Sequence, residues 1–198
     1  MKQKFKKIAS LLDEKYGVDK RKTLMEGVEI IFRDNPKSTE NWMRQFINKL
    51  NNESDCDLKT IFGDYCPCKI QRDTIEKAKK ILASSSSIRD FVITMNEKRV
   101  IGKKIRYDED NHIIYITKLY ACDCGGGYDK GNSVIAQRCH CDLVYATEEY
   151  ITMDYCYCAG KFYEPLFKEL FGSNVMIKPV KTVLTGHQEC IFAIQLLM

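Results

Sequence analysis

Ten cysteines dominate the chemistry available to this chain of 198 residues, and eight of them come in pairs. Each pair has the form Cys-x-Cys, and the last three pairs are separated by a constant interval of fourteen residues. The pairs are Cys66/Cys68, Cys122/Cys124, Cys139/Cys141 and Cys156/Cys158. In an extended strand, residues two apart lie on the same face, so each pair would present its two thiols together. The spacing predicts that the thiols converge on a metal ion or an iron–sulfur centre.

The last two pairs give the most specific form of this prediction. If strands around 134–144 and 150–156 pair with each other, Cys139 lies opposite Cys156, at a Cβ separation of about 4.5–5.5 Å. Cys141 lies two residues further along the same face of its strand, and Cys158 stands at the start of the following helix. The positive end of a helix lowers the pKa of a nearby thiol. Four thiolates in this volume suit a tetrahedral zinc ion.

The other two pairs leave alternatives open. Cys122/Cys124 precede Gly125–Gly127, and Cys66/Cys68 flank Pro67. The sequence leaves open whether these two pairs form a second metal site or whether one of them replaces a pair of the first site. Redox or disulfide chemistry and plain core packing compete with ligation for all eight paired thiols. For the unpaired Cys56 and Cys190, burial without a function is the expectation. An iron–sulfur cluster is compatible with thiolates, but the usual Cys-x-x-Cys-x-x-Cys run is missing.

Composition narrows the class of protein. A formal net charge of +4, with dispersed charges of both signs, does not predict nucleic-acid binding. No segment reaches the roughly 18 apolar residues of a membrane span, and the basic N-terminus lacks the apolar region of a signal peptide. We therefore expect a cytoplasmic protein without a membrane partner. Thiols stay reduced in that compartment, which favours metal ligation over disulfides.

The first half of the chain has helical periodicity. Apolar stripes and capping residues predict helices over 2–16, 19–33, 38–50 (capped by Ser38), 73–83 (with a capping box of Asp73 and Glu76) and 88–98 (capped by Ser87). From about residue 101 the pattern changes to β-branched and aromatic residues. It predicts strands over 103–107, 112–119, 134–144, 150–155, 175–185 and 190–197. A helix with the apolar stripe Phe162 to Phe171 precedes the last two strands and ends at Gly172.

These elements predict an α+β fold, in which N-terminal helices precede an antiparallel sheet with a packed helix. We expect a helical region over 1–60 and a cysteine-rich α+β ligand-binding domain over 61–198, together forming one compact unit.

The C-terminal third resembles a known group of proteins through the segments RCHCDLV, YCYCAGKFYEPLFKELFG and VKTVLTGHQECIFAIQL. It is similar to cysteine-rich bacterial proteins near the L-2-amino-thiazoline-4-carboxylic acid hydrolase family. More distantly it resembles the 4-vinyl reductase ligand-binding domain, which is related in fold to subunits of the TRAPP complex. The residues that match the hairpin signature of that domain are Gly186, Cys190, Phe192 and Ile194.

The resemblance implies a 4-vinyl reductase-like or TRAPP-subunit-like domain that encloses a small-molecule or metal pocket, and it leaves a homodimer open. We expect a metal-thiolate protein, with zinc or an iron–sulfur cluster, that binds or senses a small molecule. One alternative is a hydrolase of a small heterocyclic acid, for which His187, Asp154 or Glu164 would serve as general base. The other is an iron–sulfur redox protein.

Overall fold

The computed structural model of the chain describes residues 2–29, 36–53, 57–63, 69–118 and 152–197. Its helices are α1 (Lys2–Tyr16), α2 (Val18–Leu24), α3 (Pro36–Asn51), α4 (Leu58–Gly63), α5 (Arg72–Ser84), α6 (Ile88–Glu97) and α7 (Tyr157–Phe171). Its strands are β1 (Lys104–Asp108), β2 (Ile113–Lys118), β3 (Val175–Lys181) and β4 (Cys190–Leu196). All four strands form one antiparallel sheet in the order β1-β2-β4-β3. The α+β prediction is confirmed at this level.

The N-terminal helices surround a first hydrophobic cluster. Phe5, Ile8 and Leu12 form the buried stripe of α1, as their helical spacing predicts. Trp42 of α3 packs edge-on against Phe5 at 5.4 Å between ring centroids, and its indole Nε1–H donates to the carbonyl of Glu26 at 2.8 Å. The cluster also takes in residues far along the chain. Those residues are Ile61, Phe62, Tyr155, Cys156 and Leu184.

Two of the predicted helix starts are wrong in detail. The third helix begins at Pro36 instead of after Ser38, because proline is well suited to a first helical turn, where its missing N–H has no partner to lose. The fifth helix begins at Arg72 after Gln71, whose side chain makes no capping hydrogen bond, so there is no capping box at Asp73. The second helix, predicted over 19–33, is too long: it ends at Leu24, and turns occupy residues 25–29, while residues 30–33 lie outside the described residues.

A second hydrophobic cluster fills the space between the sheet and helices α5, α6 and α7. Ser87 begins α6 as predicted, because its Oγ accepts a hydrogen bond from the backbone N–H of Asp90 at 3.1 Å. On β2, Ile114 and Ile116 point toward the helices with the period of two that a half-buried strand requires. The hairpin of β1 and β2 is confirmed, and so is the pairing of the final two strands. The strand predicted over 175–185 is too long, because it ends at Lys181 and Val183–Thr185 forms a 3₁₀ turn.

Helix α7 carries the apolar stripe that the sequence predicts and ends at Gly172, which has a φ of 82°. Pro165 lies in the interior of this helix, where it can donate no hydrogen bond to the backbone. The strand predicted over 150–155 is wrong for its described part. Met153–Cys156 forms a 3₁₀ turn, because the Thr152 hydroxyl accepts a hydrogen bond from the N–H of Asp154 and so favours a turn over an extended chain.

No helix in the described ranges combines the length and apolar character that a bilayer span requires. The expected boundary near residue 60 and the strand over 134–144 stay predictions, the latter because it lies outside the described residues.

A side-chain clamp joins α6 to the sheet. The Asn96 amide accepts a hydrogen bond from the N–H of Ile105 at 2.6 Å and donates to the carbonyl of the same residue at 2.6 Å. It also donates to the carbonyl of Val92 at 3.0 Å. The asparagine thus satisfies both backbone groups of Ile105, on the outer strand of the described sheet, as a neighbouring strand would.

The first prediction concerns this clamp. Asn96→Ala should lower the free energy of unfolding by about 2 kcal/mol, because it leaves two partly buried backbone groups of Ile105 without their partner. Urea unfolding followed by circular dichroism measures the change, with the exposed neighbour Glu97→Ala as the matched control. Equal midpoints for the two variants would contradict the role of the clamp.

Candidate functional site

The last cysteine pair is the part of the predicted metal site that the structure describes. The other predicted ligands lie outside the described residues: Cys66, Cys68, Cys122, Cys124, Cys139 and Cys141. Cys156 ends the 3₁₀ turn and is 9% exposed, whereas Cys158 lies in the first turn of α7 and is half-buried. Both thiols pack against the first hydrophobic cluster. The prediction that Cys158 stands at a helix N-terminus is confirmed.

The argument from an extended strand does not hold for this pair. Cys156 and Cys158 follow helical geometry, in which residues two apart are separated by about 200° around the axis. Their side chains therefore leave the backbone in different directions. This pair by itself is poorly placed to chelate one metal ion, so a shared ion would need thiols from other parts of the chain. In the described ranges, no group of three or more histidine, cysteine, aspartate or glutamate side chains is close enough to hold a metal.

Lys118 is the residue that the sequence analysis missed. It ends β2 on the inner face of the sheet and is only 4% exposed. Its ammonium Nζ lies 4.9 Å from the ring centroid of Tyr163, 5.1 Å from that of Phe162 and 5.9 Å from that of Phe192. The negative faces of aromatic rings stabilise a cation at such distances. A buried positive charge is thus held by rings from α7 and β4.

Cys190 lies directly across the sheet from Lys118, in register with it. Its Sγ accepts a hydrogen bond from the N–H of Val183 at 3.4 Å, and its side chain packs against the second cluster. Burial raises the pKa of the Cys190 thiol, while the hydrogen bond from Val183 and the positive charge of Lys118 act in the opposite direction. Cys190 is thus a partly buried thiol that packs in the second cluster, whereas Cys56 lies outside the described residues.

The signal for Lys118 was present in the alternation of β2. The inner-face positions of this strand are Ile114, Ile116 and Lys118, so the period of two places a charged residue where an apolar one belongs. A lysine in such a position needs aromatic or ionic partners. Helix α7 supplies two of the aromatic rings, those of Phe162 and Tyr163, and β4 supplies the third, that of Phe192.

The three residues considered as general bases lie on three different elements of the described structure. His187 is exposed in the connection between β3 and β4, and its backbone N–H donates to the carbonyl of Thr182 at 3.2 Å. The Asp154 carboxylate accepts a hydrogen bond from the Thr152 hydroxyl at 2.8 Å. Glu164 lies between two lysines of its own helix.

Glu164 is held in its ionised form. Burial raises the pKa of this carboxyl, but hydrogen bonds from Lys161 at 2.7 Å and Lys168 at 2.6 Å outweigh that effect, and the net pKa is lowered. A carboxylate with a lowered pKa is a weak proton acceptor at neutral pH. Its role here is to connect two turns of α7.

No family model, curated protein or solved structure matches this chain. The resemblance to the thiazoline carboxylate hydrolase group and to the 4-vinyl reductase domain therefore stays a prediction.

The second prediction uses the pH dependence of Glu164. Its folded-state pKa is below the unfolded value of about 4.3, so its ion pairs stabilise the protein above that pH and are lost as the pH falls through the lowered pKa. Glu164→Gln should cost about 0.5–1 kcal/mol at pH 7 and nothing measurable near pH 3. Urea unfolding at both pH values tests this, with the exposed Glu14→Gln as control. A constant difference between pH 7 and pH 3 would contradict it.

Proposed function

We propose that the protein binds a metal through its paired cysteines, with zinc as the metal, and that it binds or senses a small molecule. The observation that carries this proposal is the arrangement of eight cysteines as four Cys-x-Cys pairs, three of them at one interval. Thiolates are the preferred ligands of zinc in closed, structural sites. Such a metal contributes its binding free energy to folding.

The position of the last pair supports a structural role for the metal. Cys156 and Cys158 stand where α7 passes from the first hydrophobic cluster to the second. A metal held there, together with thiols from other pairs, would tie the N-terminal helices to the sheet. Because cross-links between distant parts of a chain limit the unfolded state, such a metal should stabilise both clusters.

The start of α7 also suits negative charge. Cys158 lies in the first turn, where the backbone N–H groups lack partners within the helix, and the N-cap residue Cys156 makes no side-chain capping bond. The positive end of the helix dipole favours thiolate over thiol at this place. A thiolate ligand is therefore less costly at the start of α7 than elsewhere in a core.

The finer fold assignment belongs to the same proposal. Helix α7, with its long apolar stripe, leads into the hairpin of β3 and β4, and this order is the one expected of a 4-vinyl reductase-like or TRAPP-subunit-like domain. Gly186 adopts a left-handed conformation with a φ of 87°, which suits the glycine of the hairpin signature. The hydrolase alternative has less support, because two of its candidate bases, Asp154 and Glu164, are already engaged in hydrogen bonds or ion pairs with neighbouring residues.

The third prediction tests the metal. Protein prepared anaerobically should contain tightly bound zinc, and its removal by a chelator should lower the melting temperature, because ligation contributes to folding. Cys158→Ser should weaken zinc binding at least about tenfold, whereas Cys190→Ala, which removes a cysteine outside the pairs, should keep the zinc content of the wild type. Elemental analysis and chelator competition give the two readouts.

Three outcomes would contradict the proposal in different ways. Absence of any bound metal in the wild-type protein would contradict the proposal that the protein binds a metal. Iron with acid-labile sulfide in place of zinc would support the iron–sulfur alternative. An unchanged melting temperature after complete metal removal would exclude the structural role.

A further inference from the structure

We propose that the outer face of the sheet, opposite the face on which α5, α6 and α7 pack, binds single-stranded nucleic acid. This partner goes beyond the proposed function, because the surface is separate from the last cysteine pair and contains none of the described cysteines. The inference therefore does not depend on the metal.

The outer face consists of the residues of each strand that alternate with its buried positions. One row of this face crosses the whole sheet. It begins at Arg106 on β1, which pairs with Tyr115 on β2. Tyr115 pairs in turn with Ala193 on β4, which pairs with Lys178 on β3. Neighbouring strands are about 4.8 Å apart, so the backbones at the two ends of the row are separated by about 14 Å.

Both ends of this row, and of the row next to it, carry positive charges. The first row ends at Arg106 and Lys178, and the second row runs from Lys104 to Lys181. All four side chains are exposed, and none of them has an ion-pair partner in the described part of the chain. Asp108 is the acidic residue at the outer-face positions of the four strands, and the turn after β1 donates hydrogen bonds to its carboxylate. The fold thus concentrates on one face positive charges that are dispersed along the sequence.

A half-buried apolar strip lies between the two lines of cations. It includes Ile113 and Tyr115 of β2 and Ile191 of β4, which belong to neither hydrophobic cluster of the described structure. The Arg106 guanidinium lies 4.2 Å from the centroid of the Tyr115 ring, in a cation–π contact. Two flat groups are thus held against each other at the surface, where the exposed guanidinium can stack on a nucleic-acid base.

Positive charge together with flat stacking groups favours a single strand over other anionic partners. The phosphates of a single strand pair with lysine and arginine side chains, and its unpaired bases stack on aromatic rings and guanidinium planes. In a duplex, the faces of the bases are stacked on one another and cannot reach Arg106 or Tyr115. A polyglutamate peptide would satisfy the cations but offers no flat group to the stack.

The fourth prediction separates stacking from charge. Tyr115→Leu should weaken the binding of a labelled single-stranded oligonucleotide of about 12 nucleotides roughly tenfold, because a stacking ring is lost, and should leave the salt dependence unchanged. Tyr115→Phe keeps the ring and should bind as the wild type does. Lys178→Gln should reduce the slope of log affinity against log salt concentration by about 0.7, because it removes one phosphate contact. Fluorescence anisotropy between about 50 and 200 mM salt measures affinity and slope.

Lys77→Gln is the matched control for charge, because it removes an exposed lysine from α5, on the other side of the sheet. It should leave the affinity within about twofold and the slope unchanged. Circular dichroism and the melting temperature show whether each variant folds. Oligonucleotides of RNA and of DNA with the same base sequence are compared, and tight binding of either supports the inference, since both offer phosphates and unpaired bases.

Three results would overturn the inference. The first is a wild-type affinity for the single strand no higher than that for a duplex, a polyglutamate peptide or phosphatidylserine vesicles. The second is an equal affinity of the wild type and Tyr115→Leu, and the third is an effect of Lys77→Gln as large as that of Lys178→Gln. None of these results bears on the metal, and absence of zinc from the wild type would leave the nucleic-acid inference standing.

Discussion

The packing of α7 against two separate hydrophobic clusters is the interaction on which the rest of the structure depends. The first residues of this helix, Tyr157 and Cys158, pack against the cluster of the N-terminal helices. Its later residues, from Phe162 onward, fill the cluster beneath the sheet. The N-terminal helices and the sheet both pack against α7, and the last cysteine pair lies at its start. A change in any of these parts therefore alters the packing of this helix.

The same helix brings together the groups of chemical interest. The last cysteine pair stands at its start, the aromatic rings that hold Lys118 project from its second turn, and a carboxylate fixed by two lysines lies beyond them. The thiols and two of the rings that contact Lys118 thus lie within the first two turns of one helix.

Much of the fold could be predicted from the sequence, because local signals agreed with the tertiary structure. The stripes of α1 and α7, the Ser87 cap and the hairpin of β1 and β2 follow from periodicity and turn chemistry. The start of α3 was misplaced because the serine at 38 and the proline at 36 both suit a helix N-terminus, and only the wider context decides between them. The sequence predicts a strand near residue 153 because the segment from Tyr150 to Tyr155 contains several residues that favour strands.

The candidate site was harder to predict. Spacing identified the cysteines but not the backbone conformation beneath them, so the same-face argument was wrong for Cys156 and Cys158. Lys118 could not be predicted, because no sequence motif marks a single buried lysine at the end of a strand. Its environment depends on the rings of Phe162 and Phe192, which are distant in sequence and contact the lysine only in the folded protein.

Pro165 has a further consequence for how this fold is held together. A proline in a helix interior costs roughly 3 kcal/mol, so α7 would be poorly populated as an isolated segment. Its helical form must draw on contacts from both sides, which makes the two clusters cooperative instead of independent. Local fraying of α7 while the remainder stays native is then unfavourable, and its amide hydrogens should exchange with solvent only through global opening.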